Sequence, residues 1–281
     1  HVFRRCYAGV LLKGWRLIAR DTQMRQYDGT VVVVTGGAGH IGRAICQGFL
    51  NEGAQVVACG RRPPETPVGD GPEKAVFFAA DLRDSEGSQS LVDFTLERFG
   101  RIDILVNNAG GSPPVEAAAA SPRLTEKIVA LNLVAPLVLS QQAYGALSAN
   151  DVPGCIVNIA SVSGARPSPG TAAYGAAKAG LLSSTRSLAM EWGPNIRVNA
   201  IVVGLVHNEA GIEHYGGAEG FQRVADMLPL KRMAAPVDVA NAVLMLCDDK
   251  AAYISGAALE VDGGGEVPVF LHLAREAAAT K

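Results

Sequence analysis

A chain of 281 residues is long enough to bury a complete α/β core, and with 48% apolar and only 19% charged residues it falls outside the range of disordered chains. A formal net charge of −2, with no basic stripe interleaved with aromatic residues, excludes the electrostatic footprint of a nucleic-acid binder. Five scattered cysteines (Cys6, Cys46, Cys59, Cys155 and Cys247), none in a C-x-x-C pair, form neither a disulfide framework nor a zinc site and point to a reducing cytoplasm.

Residues 1–28 are rich in basic side chains against only Asp21 and Asp28, and read as an N-terminal extension outside the fold, with a mitochondrial presequence as the alternative. From Thr30 onward, short β-branched runs alternate with longer amphipathic stretches, as repeated βαβ units require. Strands are predicted at 31–34, 55–59, 75–79, 102–106, 155–159, 197–202 and 258–261. Each run is nearly continuously apolar, the pattern of a parallel strand covered on both faces. The stretches 42–52, 85–99, 124–145 and 172–192 are long enough for crossover helices. The expectation is a Rossmann-type, doubly wound, three-layer α/β/α fold with a seven-stranded parallel sheet, in one domain over residues 29–281. The Pro- and Gly-rich stretch 61–74 and the polar stretch 206–229 read as mobile surface loops. The most apolar stretch, 128–139, is short for a bilayer and interrupted by Asn132 and Pro136, so no membrane span is expected.

Between the first strand and the first helix stands Thr35-Gly36-Gly37-Ala38-Gly39-His40-Ile41-Gly42. Glycines there permit a tight turn and let backbone N–H groups approach a pyrophosphate at the positive end of the helix dipole. The second strand ends at Cys59-Gly60-Arg61-Arg62, where an acid would grip the ribose 2′-hydroxyl of NAD. A guanidinium at Arg61 pairs instead with a 2′-phosphate, so NADP(H) is the expected cofactor, with NAD(H) as the alternative.

Tyr174 and Lys178 lie four residues apart on one face of the helix that opens near Thr171. An ammonium beside a phenol favours the phenolate and brings tyrosine toward useful acid/base behaviour at neutral pH. Ser161 follows the fifth predicted strand, at the carboxyl edge where parallel sheets bind ligands, and its hydroxyl is suited to a substrate oxygen. Asn132, on an apolar helix, must find polar partners or cost stability, and is a candidate to hold a water that relays protons to Lys178.

These motifs, together with Asp81-Leu82, Asn107-Asn108-Ala109-Gly110, Asn158-Ile159-Ala160-Ser161 and Arg197-Val198-Asn199-Ala200, stand in an order that resembles a classical short-chain dehydrogenase/reductase from about Gly29 to Gly265. The resemblance implies hydride transfer between a carbonyl and a secondary alcohol of a small molecule, by a tetrad of Asn132, Ser161, Tyr174 and Lys178. It further implies cofactor contacts from Gly36, Gly39, His40, Ile41 and Gly42, and from Asp81 and Leu82 at the adenine. Asn108, Ala109 and Gly110 would line the adenosine ribose, with Tyr174 and Lys178 nearer the nicotinamide ribose and Gly204, Val206 and Asn208 beside the nicotinamide. A homodimer or homotetramer is implied, with no membrane or nucleic-acid partner.

Three departures accompany the likeness. His40 replaces the middle glycine of T-G-x-x-x-G-x-G, leaving the T-G-x-x-G-x-x-G spacing of extended relatives such as sugar-nucleotide epimerases and dehydratases. Val203-Gly204 stands for the usual Pro-Gly, with Asn208 where a threonine would touch the carboxamide, and Arg61 replaces the acid. The competing readings are an extended-type epimerase or dehydratase and a catalytically silent dinucleotide-binding regulator. His207 and His214 have no metal-ligand spacing and are expected to line or decorate the substrate loop. The covering segment 205–233 names no substrate.

Overall fold

The computed structural model of the protein describes residues 25–279. Cys6 and the first 24 residues of the expected extension lie outside the described residues. Tyr27, within that expected extension, is buried, sets its ring edge-on to Phe49 and donates its hydroxyl to Leu244 O at 2.7 Å.

Seven strands, β1 (Val31–Thr35), β2 (Gln55–Gly60), β3 (Val76–Ala79), β4 (Ile104–Asn107), β5 (Gly154–Ser161), β6 (Ile196–Val203) and β7 (Ala258–Val261), form one sheet in the order β3-β2-β1-β4-β5-β6-β7. Every neighbouring pair is parallel, as the unbroken apolar runs predict. Alternate side chains serve opposite faces. Val32, Val34, Val56 and Ala58 join one buried cluster, whereas Val33, Val57 and Cys59 join the other. The first face is covered by α1 (His40–Asn51) and α8 (Pro236–Cys247), the second by α2 (Ser85–Phe99), α4 (Ala135–Ser148) and α5 (Ala172–Trp192). Chain order reverses between β1 and β4, and the loops leaving their carboxyl ends open the crevice where ligands bind in such sheets.

Two expectations are corrected. The apolar stretch around Asn132 belongs to a continuous helical segment, Pro122–Ser148, made of α3 (Pro122–Val129), a wider π turn (Ala130–Val134) and α4. By length and a window hydropathy of 1.3 it is long and apolar enough to cross a membrane, so the reading that it was too short fails. Core helices pass the same test, and this one packs against α2, α5, β4 and β5. The stretch 206–229 contains α6 (Glu209–Ile212) and α7 (Gly217–Met227). Phe221, Val224, Ala225 and Leu228 recur at helical spacing there, a stripe that the clustered glycines mask. The stretch 61–74 has no helix or strand, although Val68 within it is buried in the core. The last helix is α9 (Val269–Ala279).

Asn199, fully buried in β6, clamps the segment leading to β7: its Nδ2 donates to Ile254 O at 2.9 Å and its Oδ1 accepts from Ala257 N at 3.0 Å. Replacing it leaves both backbone groups without these partners. Asn199→Ala is therefore expected to lower stability by about 1–3 kcal/mol in urea unfolding, and an unchanged midpoint would contradict the clamp.

Candidate active site

The phosphate turn is held by contacts that only glycine permits. Gly36 has φ +62°, and a Cβ on Gly42 would stand 2.1 Å from Gly36 O. Gly39 caps α1 without any side-chain acceptor, which leaves the first backbone N–H groups of a 12-residue helix for an anion. Thr35, buried at the end of β1, accepts from both Asn108 N and Ala109 N at 2.9 Å through its hydroxyl. Asn108 Nδ2 donates back to Thr35 O at 2.9 Å, so the turn and the loop after β4 are stitched together. Arg43 joins a third segment, donating to Ala38 O at 3.2 Å, Pro67 O at 3.0 Å and Thr66 O at 2.9 Å. His40 reaches across the crevice to His207 O at 2.7 Å.

Beyond the end of β2, Arg61 and Arg62 are exposed and form no ion pair among the described residues. Asp81 is engaged by Arg83, whose Nε donates to it at 2.9 Å, and this hydrogen bonding holds its carboxyl down at about 2, with a small added effect from the Arg61 charge. Leu82 is buried beneath it in the core.

Ser161 ends β5, while Tyr174 and Lys178 project from successive turns of α5. The Ser161 side chain lies close enough to the Tyr174 phenol to act on its titration, and the Lys178 ammonium lies 5.6 Å from the Tyr174 ring centroid. Lys178 is only 3% exposed and donates to Ile159 O at 2.7 Å. The two residues converge as expected, but their electrostatics differ from the sequence expectation. Burial raises the Tyr174 pKa and outweighs the opposing effect of the nearby Ser161 side chain. Burial also lowers the Lys178 pKa to about 8. The ammonium points at a backbone carbonyl rather than at the phenol, and a desolvated site disfavours charge on either group.

Asn132 is fully buried in the π turn. Its Nδ2 donates to Gly111 O and Ile128 O and its Oδ1 accepts from Gly111 N, each at 2.9 Å. Both amide protons are committed to backbone carbonyls, and the three bonds fix the loop after β4. Gly110 lies between Asn132 and Lys178, where an added Cβ would stand 2.7 Å from Asn132 Oδ1 and 3.2 Å from Lys178 Nζ. Beneath this layer, Asn107 Nδ2 donates to Asn158 Oδ1 at 2.8 Å and Asn158 Nδ2 to Thr185 Oγ1 at 2.9 Å, linking β4, β5 and α5. Sequence reasoning placed Thr35 in the phosphate turn without giving its hydroxyl a partner, and assigned no role to Arg43 or Thr185. The position of Thr35 between a buried strand and the glycines was the available signal for the first.

Gly204, Val206 and Asn208 lie on the segment after β6, where Val206 pairs with Ala234 in an isolated bridge. The His207 ring packs edge-on against Phe221, placing it beside the covering helix as expected, and the His214 side chain lies outside what the structure describes. On the other side of the mouth, Arg166 is ion-paired with Glu266. Among the described residues, no group of three His, Cys, Asp or Glu could hold a metal.

A lysine whose folded-state pKa lies below its unfolded value weakens the folded state while protonated. That penalty is fully present below about 8 and is relieved as pH climbs to 10.5. The cofactor-free protein should therefore gain roughly 3 kcal/mol over that window relative to Lys178→Met, measured by urea unfolding at each pH. Parallel pH profiles for the two proteins would contradict it.

A family model described as enoyl-(acyl carrier protein) reductase matches residues 36–266. The 3beta-hydroxysteroid dehydrogenase 1 of Eggerthella lenta is 33% identical over 84% of this chain and 93% of its own. Glucose 1-dehydrogenase 2 of Bacillus subtilis is 32% identical over 85% of this chain and 96% of its own. The ligand-free structure of Thermoplasma acidophilum aldohexose dehydrogenase superposes with a TM-score of 0.79 at 27% identity, covering 85% of this chain and 94% of that one. With one model spanning most of the sequence and relatives alike over nearly their whole length, the chain belongs to the short-chain dehydrogenase/reductase family, NAD(P)-dependent oxidoreductases that interconvert carbonyl groups and alcohols.

Proposed function

We propose that this protein reduces a small-molecule ketone, or oxidises the matching secondary alcohol, with Ser161, Tyr174 and Lys178 as its catalytic residues and NADP(H) as its preferred cofactor. The observation that carries the reading is the convergence of the Tyr174 phenol and the buried Lys178 on one sheet edge, beside a turn in which Gly37 and Gly42 leave no room for a Cβ. When bound, the dinucleotide supplies or accepts the hydride. Gly36, Gly39, His40, Ile41 and Gly42 would hold its pyrophosphate, and Asn108, Ala109, Gly110, Gly204, Val206 and Asn208 would border its ribose and nicotinamide.

Ser161 donates its hydroxyl to the substrate oxygen and fixes it beside Tyr174. In reduction Tyr174 gives its proton to that oxygen, and in oxidation it takes the proton back. A protonated Lys178 one turn away favours the phenolate left behind, the state that burial alone disfavours. Asn132 is a positioning residue, acting through Gly111. Arg61 and Arg62, exposed beside Asp81 and Leu82 at the adenine end, suit a 2′-phosphate. A dimer or tetramer is supported by exposed apolar side chains such as Met190 and Tyr253, and a reducing cytoplasm by the free thiols of Cys46, Cys59, Cys155 and Cys247 among the described residues.

The test is a screen of ketones and secondary alcohols with each nicotinamide cofactor, read by absorbance. Tyr174→Phe should cut turnover by about 10²–10⁴-fold while dinucleotide binding stays intact, and a fully active variant sinks the mechanism. For cofactor choice, Arg61→Asp should move the NADPH-to-NADH ratio of kcat/KM about tenfold or more toward NADH. An unchanged ratio would remove the assignment.

A further inference from the structure

His40 occupies the first position of α1, and the hydrogen bond from its Nε2 to His207 O joins the phosphate turn to the segment after β6. That segment belongs to the covering helices as much as to the sheet. Leu205 packs with Tyr215, Phe221 and Val224 against Ala225, Leu228 and Met233, an apolar cluster separate from the two main cores. The His207 ring meets Phe221 at 5.2 Å, and Phe221 meets Tyr215 at 6.1 Å. A lid with its own small core moves as a body, and its placement depends on the few contacts that tie it to the rest of the fold.

We propose that His40 is a positioning residue that couples the seating of the dinucleotide at α1 to the placement of the lid over the substrate mouth. The proposal rests on the reading of the α1 N-terminus as the pyrophosphate cradle, and adds that the imidazole there serves the lid. A ring at that position faces both partners: anything bound at the helix N-terminus orders His40, and an ordered His40 holds His207 and, through its ring, Phe221. By reciprocity, a lid held in place favours the ordered cradle.

Backbone hydrogen exchange across residues 205–227 of the cofactor-free protein tests this without requiring turnover. His40→Gly, on an exposed residue, should speed exchange there about three- to tenfold, the effect of losing one exposed hydrogen bond. His40→Ala should do the same without glycine's added backbone freedom, and His40→Gln, which keeps a donor, should recover most of the protection. In steady state the Gly variant should raise KM for dinucleotide and substrate together. Lid exchange identical to the parent protein in both His40→Gly and His40→Ala overturns the proposal. So does weaker dinucleotide binding without faster lid exchange, since the imidazole would then be a phosphate contact alone. Tyr174→Phe, which tests proton transfer, should leave lid exchange unchanged, so failure of one reading is told apart from failure of the other.

Discussion

The site is built around a buried primary amine. An ammonium removed from water costs free energy unless the surroundings supply acceptors, and Lys178 has the Ile159 carbonyl at 2.7 Å at the carboxyl edge of the sheet. Everything nearby serves that placement. β5 brings the carbonyl and, two residues on, Ser161. Gly110 has no side chain to collide with the ammonium, and Asn132 pins the next residue so that the loop stays clear. Tyr174, one helical turn earlier, shares the same dry environment, which keeps its proton on until a partner favours the charge.

The sheet explains why these pieces meet. Parallel strands buried on both faces put every loop at their carboxyl ends on one edge, and the reversal between β1 and β4 opens that edge. Thr35 converts this topology into a fixed site by receiving the N–H groups of Asn108 and Ala109, just before Gly110. The glycine turn, the loop after β4 and the amine are therefore links of one connected structure, and disturbance at any of them reaches the others.

Much of this was legible in the sequence because the signals are local. Unbroken apolar runs such as Val31 to Val34 mark strands covered on both faces, and Tyr174 and Lys178 share a helix face by spacing alone. What stayed hidden depends on partners far along the chain. The acceptor role of Thr35 requires Asn108, 73 residues away, and Arg43 finds its carbonyls on a loop with no periodic pattern. Asn132 was singled out as a polar residue in need of partners, but only the π turn shows that Gly111 and Ile128 absorb its hydrogen bonds. The sign of the Tyr174 shift was missed for a similar reason: helical spacing gives the distance between two groups, whereas burial, which decides the balance here, is a property of the whole fold. The helices within 206–229 were obscured by glycines that punctuate them.

The central claim is that burial, acting on both groups of the pair, disfavours charge on each in the cofactor-free protein. One pH titration by NMR measures it, with ¹³C labels at lysine Cε and tyrosine Cζ and signals assigned through single-residue variants. The account predicts a Lys178 amine that titrates near 8 and a Tyr174 phenol that titrates above its ordinary value of 10.0. An amine titrating at the ordinary 10.5 beside a phenol below 10.0 would contradict it.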